Sequence, residues 1–192
     1  MTWVYLLREK FETSQIFKNF HKMIQTQFQT HIQTLRINNG KEYFNSILGD
    51  YLLENGIIHQ SSYVDTPQEN GVSERKNRHL LEVVRALMFT MNVPKYLWGD
   101  AILAATYLIN RLPSRPINFE TPLFVLTKSY SQVSTSNALP LKTFGCTTFV
   151  HIHDHNRNKH DPRALKIVFI GYSPTQKVIV AIVHRTKNVC FS

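Results

Sequence analysis

Leu80, Val83, Val84, Leu87, Met88 and Met91 recur at steps of three and four along residues 72–92. That spacing draws one apolar stripe down an α-helix, and such a stripe needs a second apolar surface to cover it. A further helix is expected after "NVP". Pro94 suits its first turn, and Trp98, Ala101, Ile102, Ala105, Leu108 and Ile109 fall on one side of it. The chain is therefore read as a packed protein of 192 residues, one domain or one domain with an appendage. A hydrophobic content of 43% argues against wholesale disorder.

The residues before this helix alternate in type. "TWVYLL" at residues 2–7 is β-branched and aromatic and reads as a strand. Phe17, Phe20, Met23, Ile24 and Phe28 give residues 12–30 a helical stripe. "HIQTLRI" reads as a short buried strand, stopped by the turn signal Asn38-Asn39-Gly40. "NSILGDYLLENG" reads as a helix ending at Gly56, "IIHQSS" as a strand and "YVDTPQENG" as a polar loop. After "RLPSRP" the pattern changes. Residues 113–140 are rich in proline and serine and read as a linker. "KTFGCTTFVHI", "LKIVFIGY" and "VIVAIVH" then read as short strands of a small all-β unit.

Lys and Arg number 22 against 13 Asp and Glu, a net charge of +9, with a sequence pI near 9.7. This balance favours a polyanionic partner, nucleic acid above all. Cys146 and Cys190 are too few for a disulfide framework, and their apolar surroundings suggest buried thiols in a reducing compartment. The apolar run "AILAATYLI" has nine residues, against the roughly 18 that a membrane span needs. The N-terminus lacks the form of a signal peptide.

Two clusters could carry chemistry. Glu74 is expected near the start of the long helix, where the helix dipole favours a carboxylate. The alternative role is a metal ligand, since a carboxylate on a rigid helix can meet another at the end of a strand around Mg²⁺. Glu74, Arg78, Leu81 and Arg85 fall near one face, with Arg75, Lys76 and His79 beside it. This is either a solvated face or a strip that grips a phosphodiester backbone. The second cluster, "HIHDHNRNKH", puts His151, His153 and His155 on one side of an extended segment. It reads as a surface hairpin or loop, with zinc binding the alternative.

"LRINNGKEYF", "TPQENGVSERKNRHLLEVVRALM", "YLWGDAILAATYLINRLPS", "LKTFGCTTFVHI" and "DPRALKIVFIGYSPTQK" occur in order over nearly the whole chain. Together they resemble the integrase region of a copia-type retrotransposon Pol polyprotein of plants. The resemblance implies an α/β fold: an RNase H-like integrase core over residues 1–112, a linker over 113–140 and a small all-β SH3-like domain over 141–192. It implies DNA integration by metal-dependent strand transfer, with three carboxylates (Asp, Asp, Glu) holding two Mg²⁺ or Mn²⁺ ions. It also implies DNA partners (element ends and target), action as a homo-oligomer, an intracellular and nuclear site for the parent integrase, and no membrane.

Carried over residue by residue, Glu74 falls on the glutamate of that triad. Asn38, separated from it by 35 residues, falls on the second aspartate. An amide oxygen can touch Mg²⁺ but brings no negative charge. The first aspartate lies on a strand before "TWVYLL", so the core is expected to be incomplete, without its first two strands in a sheet ordered 3-2-1-4-5. "TWVYLL" would be strand three. Tight metal binding and catalysis are not expected. Nothing in the spacing makes Asp65 or Glu42 a replacement ligand. The last strands also depart from the family pattern after "TQK". Three readings follow: an inactive integrase-core fragment, a non-enzymatic nucleic-acid-binding remnant with Arg75, Lys76, Arg78 and Arg85 as its contacts, or a degenerate product without a stable role.

Overall fold

A computed structural model describes residues 1–37, 40–61, 67–130, 139–173, 179–183 and 187–191. By contact the chain divides into two compact units. One holds Tyr5–Arg78 and Leu126–Ser134, the other Met1–Val4, His79–Val125 and Thr135–Ser192.

The first unit begins with helix α1, Thr13–Phe28, whose apolar stripe buries Ile24 and Phe28. Strand β1, Thr34–Ile37, follows, then helix α2, Ser46–Glu54, and strand β2, Ile58–Ser61. β1 and β2 pair in parallel from Thr34↔Ile58 to Ile37↔Ser61, and α2 is the crossover that a parallel pair requires. Leu48, Leu52 and Ile57 form the core, with Phe17, Ile32, Leu35 and Tyr43 packed on it. Asn45 caps α2: its Oδ1 accepts from the Leu48 N–H at 2.8 Å, and its Nδ2 donates to Ser14 Oγ and to the Glu42 carbonyl, each at 2.9 Å. Gly56 turns the chain out of the helix at φ +63°.

Helix α3 runs from Pro67 to Thr90 and contributes residues to both units. It starts five residues before the expected 72, so part of the expected polar loop is helical. Proline at a first helical position loses no hydrogen bond and has its φ already set.

In the second unit, Leu80 and Val84 of α3 pack with Leu97 and with Ala101, Ile102, Ala104 and Ala105 of helix α4, Trp98–Ile109. Phe144 and Ile170 complete this core. Trp98, expected inside, is 55% exposed. It opens α4, and the preceding Leu97 takes the buried place. The expected linker stretch contains a 3-10 turn at Arg115–Ile117 and helix α5, Pro122–Ser129. The antiparallel sheet follows in the order β3-β4-β5-β6: Thr147–His151, Ala164–Tyr172, Ile179–Val183 and Lys187–Phe191. Its first three strands are the three expected ones, and the fourth was not anticipated. Buried Ile167, Phe169 and Ile170 belong to β4, with a bulge between Phe169 and Gly171.

The architecture is the expected mixed helix-and-strand part followed by an antiparallel β part. The expected first strand is absent. Residues 1–7 form no regular element, because β-prone side chains favour an extended chain but a strand also needs a backbone ladder. Thr2 pairs with a side chain, that of Asn110. Cys146, expected to be buried, is half-buried with its Sγ 3.8 Å from Thr148 Oγ1; the Cys190 side chain lies outside the described residues.

Candidate nucleic-acid interface

α3 carries the charged residues singled out above. Its earlier start makes Glu74 the eighth helical residue rather than one of the first. The field of the helix end fades within the first turn, so the dipole no longer accounts for a carboxylate at this position.

All six residues from Glu74 to His79 are exposed. No side of this helical stretch is covered, whereas Leu80 and Val84 further along are 9% and 5% exposed. Arg75 folds back along the helix, its Nη1 2.9 Å from the place a β-carbon on Gly71 would occupy. Among the described residues, no ion pair joins Glu74, Arg75, Lys76 or Arg78 to a partner; the pairs seen are Lys10–Glu42 at 3.9 Å and Arg157–Asp154. Three cations therefore stand in water, without an ion-pair partner among the described residues. Arg85 is also exposed, on the α3 residues of the other unit.

Asn38 and Asp65 lie outside the described residues. Glu42 faces Lys10 and folds over Gly40. Among the described residues no three His, Cys, Asp or Glu side chains group as a metal site. Glu74 is a solvated carboxylate and belongs to no such group among the described residues, whereas hard cations such as Mg²⁺ or Mn²⁺ require several oxygen ligands.

One basic residue drops out of the set available to a polyanion. The Arg111 guanidinium lies 3.4 Å over the Tyr107 ring, which stacks at 3.6 Å on Tyr172. Arg111 Nη1 donates to the Tyr107 carbonyl at 3.3 Å, and its Nε is buried without a hydrogen-bond partner among the described residues. Burial pushes the Arg111 pKa down, against the opposing pull of Tyr107 and Tyr172. Charge counting could not single it out. The signal that could is its place four residues after Tyr107, one helical turn along.

The β part and the sequence define the class. The family described as retroviral polymerase SH3-like domain matches residues 146–192. The chain is 40% identical to the retrovirus-related Pol polyprotein from transposon TNT 1-94 of Nicotiana tabacum, over 88% of this chain and 12% of that protein. It is 34% identical to the corresponding polyprotein from transposon RE1 of Arabidopsis thaliana, over 100% of this chain and 13% of that protein. A solved simian T-cell lymphotropic virus intasome in complex with PP2A regulatory subunit B56 gamma aligns with a TM-score of 0.49 at 16% identity, over 97% of this chain and 63% of that one. The chain belongs to the retrovirus-related Pol polyproteins of transposons. It spans about an eighth of the length of the two plant relatives.

Proposed function

We propose that this chain is a DNA-holding segment of a retrotransposon Pol polyprotein whose ancestral process is DNA integration, and that it does not itself carry out strand transfer. The observation that carries the proposal is the uncovered run of Arg75, Lys76 and Arg78, unpaired among the described residues. Cations already balanced by protein carboxylates gain little from a phosphate. Unbalanced ones displace the counterions condensed on DNA, and the released ions drive binding.

The inactive half of the proposal rests on donor chemistry. Asn38 stands where the resemblance places an aspartate, and Glu74 belongs to no group of three metal-ligating side chains among the described residues. DNA ends and target DNA are the proposed partners. A homo-oligomer working in the nucleus is the proposed setting of the parent polyprotein.

The test is duplex-DNA binding by the 192-residue chain across a salt series. Each phosphate contact contributes about −0.9 to the slope of log K against log salt. Arg75→Ala/Lys76→Ala/Arg78→Ala should flatten that slope by roughly 2–3 and weaken binding alike for all sequences. An unchanged slope would remove α3 from the interface. Metal-dependent joining of DNA ends by the unmodified chain would overturn the inactive assignment.

A further inference from the structure

The segment leaving β3 carries three histidines that neither the fold nor the DNA proposal uses. The His151 and His153 rings meet edge to face with centroids 5.8 Å apart, and His153 and His155 lie nearly parallel at 5.7 Å. Alternation brings His151 and His153 together, and the 3-10 turn Asp154–Asn156 then carries His155 beside His153. His151 ends β3, paired with Ala164. His153 keeps an extended backbone at φ −60°, ψ 146°, just before the 3-10 turn Asp154–Asn156. In an extended chain, alternate side chains share a side.

The backbone beneath the rings is anchored. The Ile152 N–H donates to the Arg163 carbonyl at 3.0 Å, and the Asn158 N–H donates to Asp161 Oδ2 at 2.7 Å. The rings themselves are accessible: His151, His153 and His155 are all exposed. Asp154 is engaged by Arg157.

Neutral imidazole suits Zn²⁺, Cu²⁺ and Ni²⁺, whereas Mg²⁺ takes oxygen ligands. With Zn–N bonds of about 2.0–2.1 Å in tetrahedral array, neighbouring ring centres stand roughly 5 Å apart. The observed spacings are within about an ångström of that. No three ligand side chains among the described residues already converge on one point, so binding must draw the rings together by rotation about their side-chain torsions. We propose that His151, His153 and His155 form a site for a borderline-soft divalent transition metal, Zn²⁺ in the first instance, with water completing the shell.

The experiment is a calorimetric titration of the 192-residue chain with Zn²⁺, with and without excess Mg²⁺. One Zn²⁺ per chain is expected, insensitive to Mg²⁺. His151→Gln, His153→Gln and His155→Gln should each weaken it by an order of magnitude, and the triple variant should abolish it. Imidazole resonances of the unmodified protein give a readout that does not depend on how the variants fold: those three rings should shift together on adding Zn²⁺. The proposal is overturned if the chain takes up no Zn²⁺, if the triple variant binds it as tightly, or if other histidines shift instead.

Discussion

Asn110 and Thr2, 108 positions apart, exchange two hydrogen bonds: the Thr2 N–H donates to Asn110 Oδ1 at 2.8 Å, and Asn110 Nδ2 donates to the Thr2 carbonyl at 2.7 Å. One side-chain amide thus does for a single residue what a neighbouring strand does for a whole segment. Asn110 is 4% exposed, so its polar atoms need these partners.

Replacing Asn110 tests that pairing. Asn110→Ala removes both bonds and should cost about 1–3 kcal/mol, read as a lower urea midpoint at unchanged slope. Asn110→Asp keeps the acceptor and loses the donor, and should be destabilising too. A midpoint unmoved by either would show that the first residues are held by something else.

Gly145 sits at φ +83°, and a β-carbon there would stand 2.6 Å from Met91 Cβ. Gly145→Ala meets both a left-handed backbone cost of about 1–2 kcal/mol and this overlap. The variant should melt well below the parent. Shortening Met91 does not relieve it, because the overlap is with the Met91 β-carbon.

His21 supplies a pH dependence. It is 1% exposed, its Nδ1 lies 3.0 Å from the Tyr51 hydroxyl, and its Nε2 is buried without a hydrogen-bond partner among the described residues. Burial pushes its pKa below the ordinary histidine value, with His31 adding to the effect. The unfolded chain therefore takes up a proton first. Stability is full above the ordinary histidine pKa near 6.5 and declines as pH falls through it towards the lower folded pKa. Phe17 and Tyr51 flank the ring, and Lys18 lies over Tyr51; no carboxylate is among these contacts. His21→Phe should flatten the denaturation midpoint between pH 7 and pH 5 (about the histidine window). A parent curve already flat there would count against a buried neutral His21.

Arg111 separates stability from binding. Arg111→Met loses a cation–π contact of about 0.5–2 kcal/mol and should lower the melting temperature. DNA affinity and its salt slope should stay as they were, unlike the α3 triple variant. A fall in the slope would mean that Arg111 reaches phosphate after all.

Much of this was legible in the residues. The stripes at Phe17–Phe28 and Leu80–Met91 fixed two helices, because periodicity reports burial directly. The strands Thr147–His151, Ala164–Tyr172 and Ile179–Val183 followed from short β-branched and aromatic runs between polar turns. Pairing was not legible: residues 2–7 look like a strand, yet they form no ladder, and the Thr2 backbone pairs instead with an amide 108 positions away. The start of α3 was hidden because Gly71 and the polar residues before it resemble loop composition, while Pro67 carries the helical signal. The basic run was visible as charge. That Arg111 stands apart from it is not visible in charge, since it rests on a tyrosine one helical turn back.

The bareness of Glu74 to His79 has a bearing on how copies of such an element diverge. A side chain wetted on every side can be exchanged for another good helix former at about ±0.5 kcal/mol, so folding places almost no restraint on those six positions. Drift should scramble them quickly in copies that have lost their use. Wherever arginine and lysine persist there across copies, what has been selected is contact with something outside the chain.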